Sequence, residues 1–315
     1  MRVLVIDKLD ETLEKQFVNH GWIVETDTTS PRAIIEKKLP LFDGVIVRSR
    51  FPIDAAFIDK GVNLKFIGRP GAGLENIDTA YCEKKDVLCF RSPEGNCDAL
   101  GEHTLGMLLA LLNKFRQADN QVRQGIWDRK SNRGTELGRK TVGIIGYGYM
   151  GAAFARRLTG FGVHVLAYDK YKSGFGDEYV KEATLEQIQE KADIVSVHTP
   201  LTPETEGMVN LAFYKNFKKS IVIINTARGG ILKLDDLVEA MQSNLVWGAC
   251  LDVLEYENSS FGLTLDTHQK TWDYLRQSDK IILTPHVAGI THEGEYKMAY
   301  FLAEKILAHF EIKTP

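Results

Sequence analysis

The segment GYGYMG is the part of this chain whose spacing most clearly suggests chemistry, with glycines at 146, 148 and 151. The apolar run TVGII precedes it and the helical sequence GAAFARRL overlaps its end. The first glycine permits a tight turn, the second lets the backbone approach a pyrophosphate, and the third lets helix and strand pack closely. The helix N-terminus adds N–H donors and a positive dipole end. The segment therefore predicts a dinucleotide-binding loop; the structural alternative is a strand–turn–helix using glycine only sterically.

The next predicted strand, VHVLAYD, ends in Asp169, 18 residues after Gly151. An acid at that place can accept hydrogen bonds from ribose hydroxyls and would repel a 2′-phosphate, which favours NAD over NADP. Lys170 and Lys172 follow directly and weaken that preference.

Polar residues also follow other apolar runs in the second half of the chain. In open α/β sheets ligands bind at the carboxyl ends of strands, so we expect these residues to converge on one crevice. They are Thr199 and Pro200 after DIVSVH, Arg228 after INTA, Asp252 and Glu257 after GACL, and His286 after ILTP.

An arginine and a histidine together suit reduction of a small 2-oxo acid. Arginine is a permanent, planar cation that can hold a carboxylate and polarise a carbonyl. Histidine can donate the proton, because imidazole titrates near neutrality. Spacing alone does not choose among the eight histidines. His286 is preferred and His198, which also ends a strand, is its rival; the alternative for any one histidine is a packed or surface role, as predicted for His20, His103 and His309.

These residues require parallel sheets to position them, and the sequence predicts two. Apolar runs at 3–6, 22–26, 45–49, 64–68 and 87–90 alternate with amphipathic stretches, as do later runs at 141–146, 163–169, 193–198, 220–227, 245–253 and 280–286. This alternation is typical of sheets covered by helices. Predicted helices include 9–20, one starting at Ser30 and Pro31, a long one over 98–124, one with a Thr184–Gln187 capping box, and 291–310. Residues 256–275 suggest a long surface loop, with room for a short helix.

Composition limits the class of protein. A length of 315 residues suits two domains. Acids and bases nearly balance, 42 against 39, which gives no sign of a nucleic-acid or membrane surface. The four cysteines form no C-x-x-C pair, so we predict no metal site and a reducing compartment. With no signal-type segment and no long apolar run, we expect a soluble, cytoplasmic protein.

Seven motifs, in matching order over nearly the whole chain, give a family resemblance. The chain resembles the D-isomer-specific 2-hydroxyacid dehydrogenases. The motifs are GRPGAGLENID (68–78), EGNCDALGEHTLGMLLAL (94–111), ELGRKTVGIIGYGYMG (136–151), HTPLTPET (198–205), INTARGG (224–230), ACLDVLEYE (249–257) and LTPHVAG (283–289).

The resemblance implies an α/β fold of two doubly wound parallel-sheet domains. A flavodoxin-like substrate domain would comprise 1–98 and 291–315, and a Rossmann-type NAD-binding domain 99–290. A homodimer through the 98–124 helix is also implied.

The resemblance also assigns site residues. His286 matches the catalytic histidine, Glu257 the glutamate that pairs with it, and Arg228 the substrate-binding arginine; Glu255 is acidic but stands at the wrong spacing. Substrate contacts are expected from Arg48 and from the backbone N–H groups of Gly71, Ala72 and Gly73. Expected cofactor contacts are Gly146, Gly148, Tyr149, Met150, Gly151, Asp169, His198, Thr199, Pro200, Thr205, Thr226, Ala227, Asp252, Ala288 and Gly289.

The sequence offers two candidate substrates. VRSR (47–50) resembles the segment where phosphoglycerate dehydrogenases contact phosphate, so 3-phosphoglycerate is the first choice, with a role in serine biosynthesis, and hydroxypyruvate or glyoxylate the second. The bland alternative for Arg48, Arg50 and Arg69 is a solvated charge or structural salt bridge.

The chain also departs from the family pattern. Asn258 stands where the family often has proline, 258–279 is fairly long, and Pro70 stiffens the substrate loop. The chain ends after its last helix, so we expect a short form without the serine-sensing domain. A different class, an NAD-sensing corepressor-like protein, stays open.

Overall fold

The computed structural model describes residues 1–257 and 269–311. Asn258 and the predicted loop up to residue 268 lie outside these described residues. The strands are β1 (Arg2–Val5), β2 (Ile23–Thr26), β3 (Gly44–Ile46), β4 (Phe66–Arg69), β5 (Leu88–Arg91), β6 (Thr141–Ile145), β7 (His164–Tyr168), β8 (Val180–Glu182), β9 (Ile194–Val197), β10 (Ile221–Asn225), β11 (Val246–Leu251) and β12 (Ile281–Leu283).

The described α-helices complete the element order. They are α1 (Thr12–Asn19), α2 (Arg32–Lys38), α3 (Ala55–Lys60), α4 (Thr79–Lys84), α5 (Cys97–Leu112), α6 (Phe115–Arg123), α7 (Tyr149–Arg157), α8 (Leu185–Lys191), α9 (Leu211–Lys215), α10 (Leu234–Gln242), α11 (Gln269–Gln277) and α12 (His292–Glu311). Within the described part of the chain, no helix is long and apolar enough to cross a membrane.

The chain divides into two compact units, one of residues 1–97 together with the segment from Ile290 onward, and one of residues 98–289. The first unit holds a five-stranded parallel sheet of order β2-β1-β3-β4-β5. Helices α3 and α4 begin at aspartate caps: Asp54 accepts from Phe57 N at 2.9 Å, and Asp78 from Tyr81 N at 2.9 Å. One face of the sheet is covered by α12 through residues that include Leu302.

The second unit holds a seven-stranded parallel sheet of order β12-β11-β10-β9-β6-β7-β8. Strands β9 and β10 are buried along their whole length, as expected for central strands with helices on both faces. Two buried apolar clusters fill the two faces. Successive strands are added on one side of β6 up to β8 and then on its other side from β9 onward. Such a switch point is where a crevice forms at the carboxyl ends of the two central strands, here β6 and β9. The two parallel sheets confirm the predicted α/β class.

Some predicted elements need correction. The single helix over 98–124 is wrong: α5 and α6 are separate, because Lys114 takes the left-handed conformation (φ 54°). Its ammonium donates to Ser131 O at 2.7 Å, which stabilises the break. Ser30 does not cap α2: Pro31 is at the cap position without a side-chain bond, and Ser30 O accepts from Arg50 instead.

Two further segments refine the sequence prediction. The 256–275 loop is helical from Gln269 in α11. Strand β8 was not predicted, since its sequence VKE has a single apolar residue and shows no apolar run. The capping box of Thr184 and Gln187 is confirmed at the start of α8.

Candidate active site

The glycine loop follows β6 and leads directly into α7. Gly146 has a φ of +93°, and a Cβ there would lie 2.8 Å from the carbonyl of His198. A Cβ at Gly151 would lie 2.1 Å from Gly146 O, so helix and strand pack as closely as the spacing predicted. A Cβ at Gly148, in contrast, would meet no atom within 4 Å. That open space at the N-terminus of a nine-residue helix can admit a pyrophosphate.

Buried polar atoms beside this loop also fit a dinucleotide. His198 and Thr199 follow β9 directly, next to the glycine loop. His198 Nδ1 and Thr199 Oγ1 are buried and, among the described residues, have no hydrogen-bond partner. Ligand atoms can satisfy such groups. Burial lowers the pKa of His198 to about 3, so its ring is neutral and unsuited as a proton donor. Its Nε2 lies 2.9 Å from Ser196 Oγ.

Asp169 lies at the end of β7 with its carboxylate held by two backbone donors. Tyr147 N donates to Oδ2 at 2.8 Å and Tyr171 N donates to Oδ1 at 3.0 Å. The two neighbouring lysines are both engaged: Lys170 pairs with Glu204, and Lys172 Nζ donates to Tyr147 O at 3.2 Å. The hydrogen bond that Lys170 donates to Glu204 raises the pKa of this lysine. Because both lysines have partners, they are less available to bind the 2′-phosphate of NADP, and the preference for NAD is weakened less than their position suggested.

The predicted acid–base pair is assembled at the carboxyl ends of β11 and β12. His286 Nδ1 lies 2.8 Å from Glu257 Oε2, and Leu254 N donates to Glu257 Oε1 at 3.0 Å. Glu255, set aside on spacing, is used elsewhere: it pairs with Lys233 at 2.5 Å. The ring of His286 is thus oriented by a carboxylate that is itself fixed by the backbone.

A buried carboxylate, Asp252, fixes the turn that carries His286. It is 1% exposed, and it accepts from Thr284 Oγ1 at 2.5 Å, Val287 N at 2.9 Å and Ala288 N at 2.9 Å. Its backbone carbonyl accepts from His286 N at 2.7 Å. His286 itself has a φ of 56°, a conformation that non-glycine residues rarely adopt and that surrounding bonds must hold. The structure therefore gives Asp252 a supporting place behind the histidine.

His103 joins this network, although the sequence predicted only a packed residue on a buried helix. Its Nε2 lies 3.1 Å from Thr284 Oγ1 and 3.6 Å from Asp252 Oδ1. The available signal was the polar triplet Glu102–His103–Thr104 in a largely apolar helix. Thr104 Oγ1 lies 3.2 Å from Thr226 Oγ1. These contacts join α5 to the ends of the strands.

Arg228 follows β10 in a turn shaped by Asn225. The buried Asn225 donates through Nδ2 to Arg228 O at 3.0 Å and accepts from Ala227 N at 3.0 Å. Arg228 donates to Ala227 O at 2.7 Å. A Cβ at Gly229 would lie 1.9 Å from Leu254 O, so the segments after β10 and β11 cross in direct contact.

The other predicted cofactor residues also lie at the carboxyl ends of strands of the seven-stranded sheet. Tyr149 and Met150 begin α7, and the rest follow β9, β10 or β12; these are Pro200, Thr205, Thr226, Ala227, Ala288 and Gly289. Thr205 donates to Pro200 O at 2.6 Å and closes its own loop. Its hydroxyl thus has a structural use there.

In the first unit, the loop after β4 is held by two arginines, of which Arg69 was a possible substrate ligand in the sequence analysis. Arg69 donates to Gly73 O at 2.6 Å, and Arg91 to Ala72 O at 2.8 Å. Gly71 N, expected to bind the substrate carboxylate, donates to Ser92 Oγ at 3.2 Å instead. Hydrogen bonds to the N–H groups of Ala72 and Gly73 are not found among the described residues, and these two groups can take an anion.

Arg48 and Arg50 differ in what their guanidinium groups contact. Arg50 donates to the carbonyls of Ile6 at 2.9 Å, Asp27 at 2.7 Å and also Ser30, which makes it structural. Arg48 forms an ion pair with Glu295, with Nη1 3.1 Å from Oε1. Of the two VRSR arginines, Arg48 is the one that pairs with an acidic side chain, whereas the Arg50 guanidinium lies over the ring of Phe51.

Comparison with known proteins agrees with this geometry. The family model for the NAD binding domain of D-isomer specific 2-hydroxyacid dehydrogenases matches residues 105–288. A D-3-phosphoglycerate dehydrogenase of Archaeoglobus fulgidus is 33% identical over 309 residues, which are 98% of this chain and 57% of that protein. A hydroxypyruvate reductase of Thermotoga maritima is 32% identical over 311 residues, 99% of each chain.

A solved structure extends the match to both units. The crystal structure of D-lactate dehydrogenase from Aquifex aeolicus, complexed with NAD and lactic acid, is 25% identical, covers 99% of this chain and 96% of that one, and gives a TM-score of 0.82. The chain spans little more than half the length of the phosphoglycerate dehydrogenases that it matches, 57% and 56% for two of them. The chain therefore belongs to the D-isomer specific 2-hydroxyacid dehydrogenase family, and NAD is its cofactor.

Proposed function

We propose that this protein interconverts a small D-2-hydroxy acid and the corresponding 2-oxo acid. The observation that carries the proposal is the contact of 2.8 Å between His286 Nδ1 and Glu257 Oε2, in the same unit as the glycine loop. An oriented imidazole near a dinucleotide loop is suited to general acid–base work on an alcohol or carbonyl.

In this proposal each protein group has one task. When bound, the nicotinamide supplies or accepts a hydride. Arg228 holds the substrate carboxylate by charge-assisted hydrogen bonds and polarises the neighbouring carbonyl. Because Nδ1 of His286 faces Glu257, proton exchange with the substrate oxygen falls to Nε2; the imidazolium gives its proton during reduction and takes it back during oxidation. Glu257 stabilises the charged ring.

The first unit is proposed to contribute substrate contacts. The N–H groups of Ala72 and Gly73 are assigned to the carboxylate, and Arg48 to the far end of the substrate. Residues 1–97 with the segment from Ile290 onward are accordingly proposed as the substrate domain and 98–289 as the cofactor domain.

The substrate itself has two candidates. The names of several relatives support 3-phosphoglycerate and thus a step of serine biosynthesis. The relative matched over 99% of its length is named a hydroxypyruvate reductase, which supports an unphosphorylated acid.

We also propose a homodimer formed around α6 and the residues after it. Four large apolar side chains are exposed in this short stretch, more than a free surface usually shows in one place; they are Phe115, Val122, Ile126 and Trp127.

The test is oxidation of NADH with hydroxypyruvate, glyoxylate and phosphohydroxypyruvate, measured as the loss of NADH absorbance. His286→Ala is expected to lower kcat by roughly 10²–10⁴-fold with little change in NADH affinity. His164→Ala is the control, since this exposed histidine begins β7 and so lies at the amino ends of the strands, away from the site. NADH binding without turnover of these three acids would favour another 2-oxo acid or an NAD-sensing protein, and native turnover in His286→Ala would refute the proposed role of this histidine.

A further inference from the structure

The ion pair of Arg48 and Glu295 is the feature of the first unit that bears on substrate choice. The backbone of Arg48 is fixed, because its N–H donates to Asp7 Oδ2 at 2.5 Å and the N–H of Ser49 donates to the same oxygen at 3.1 Å. Glu295 lies in the first turn of α12, where the positive end of the helix dipole stabilises a carboxylate. The two side chains are 28% and 44% exposed, so the pair faces solvent and can meet a ligand.

The surroundings of the pair carry no net positive charge. The depression beside it is lined by Lys8 and Asp10 as well as Arg48 and Glu295, two cations and two anions. Its volume is about 20 Å³, room for about one water molecule. A phosphoryl group bound by the other N–H donors of Arg48 would lie beside the carboxylate of Glu295, which carries a charge of its own sign.

A hydroxyl group fits the same pair without conflict. It can accept a hydrogen bond from the guanidinium and donate one to the carboxylate, since a hydroxyl is both donor and acceptor. Arg50 and Arg69 direct guanidinium N–H groups to backbone carbonyls, which leaves them fewer donors for direct contact with a phosphate. The pair thus favours a substrate whose far end is an uncharged hydroxyl.

We propose that Glu295 is a specificity-determining residue, which with Arg48 selects short 2-oxo or 2-hydroxy acids ending in a neutral hydroxyl and rejects their phosphorylated counterparts. This inference rests on the proposed function, because it assigns Arg48 to the far end of the substrate. It decides between the two substrate candidates in favour of hydroxypyruvate over phosphohydroxypyruvate.

The test compares kcat/KM for hydroxypyruvate and phosphohydroxypyruvate, with NADH, in the full chain and two variants. Glu295→Gln keeps the size of the side chain and a hydrogen bond to Arg48 but removes the negative charge. We expect it to raise the ratio of phosphorylated to unphosphorylated kcat/KM by at least about tenfold, mainly through a lower KM for the phosphorylated acid, because a like charge has been removed. Glu293→Gln removes the same charge from an exposed position in the same turn, and the ratio should stay within about twofold.

The outcomes separate this inference from the function on which it rests. Turnover of hydroxypyruvate with an unchanged ratio in Glu295→Gln would refute the role of Glu295 and leave the dehydrogenase proposal intact. A native protein that prefers the phosphorylated acid would also overturn it. Failure to turn over hydroxypyruvate would refute this inference, and reduction of glyoxylate in the same assay would leave the dehydrogenase proposal intact.

Discussion

Replacing Asp252 by asparagine gives the most direct test of how the fold presents His286. The asparagine has nearly the same shape but only one acceptor oxygen, whereas the carboxylate accepts from Thr284, Val287 and Ala288. At least one backbone N–H would then face an amide NH₂ group instead of an acceptor. Hydrogen bonds to a charged group contribute about 1.5–3 kcal/mol each, and a buried donor left unsatisfied costs about 1–3 kcal/mol.

Because such terms are not additive, we expect Asp252→Asn to lower the free energy of unfolding by about 2–4 kcal/mol. Urea denaturation of the full chain measures this change. The turn should also relax away from the φ of 56° at His286, and a displacement near 1 Å lowers kcat by about 10²-fold. NADH affinity should fall much less, because the glycine loop after β6 is not bonded to Asp252.

Asp279→Asn is the matched control, since this exposed carboxylate of the same unit is 60% exposed. It should change stability by less than about 0.5 kcal/mol and leave kcat unchanged. A double-mutant cycle with Thr284→Val adds a second readout, with an expected coupling free energy of about 1 kcal/mol or more for groups in direct contact. Native stability and native kcat in Asp252→Asn would refute the idea that this carboxylate holds the histidine in place.

Other predictions concern the glycine loop and a buried histidine. Gly148→Ala should unfold at the native urea concentration yet bind NADH more weakly, whereas Gly151→Ala should lose stability, since its Cβ would lie 2.1 Å from Gly146 O. Titration calorimetry measures the NADH affinity and urea denaturation the stability. Equal effects of the two variants on both properties would contradict the different parts assigned to these glycines. The ordinary pKa of a histidine is 6.5, and burial in the folded protein lowers the pKa of His198 to about 3. Only the unfolded chain binds its proton between these values, so acidification below pH 6.5 should reduce stability by up to about 1.4 kcal/mol per pH unit from this group. His198→Asn should make that slope shallower, and an unchanged slope would show that His198 is not the group responsible.

Much of the fold and of the candidate site could be predicted from local sequence signals. Alternation of apolar runs with amphipathic stretches is enough to indicate parallel sheets, because a strand buried on both faces must be apolar throughout. The spacing of Gly146, Gly148 and Gly151 predicted a turn, an open approach and a tight contact, and each glycine has the geometry that its predicted part requires. These features depend on neighbours in the chain.

Contacts between residues distant in sequence were decided only by the tertiary structure. Arg48 and Arg50 are equivalent in the motif VRSR, yet one pairs with Glu295, 247 residues away, and the other donates to backbone carbonyls. His103 could not be linked to the turn of His286, because the residues joining them are 181 positions apart. Side-chain identity determines which bonds a residue can form, but which partner it meets depends on how strands from separate parts of the chain are ordered in the sheet.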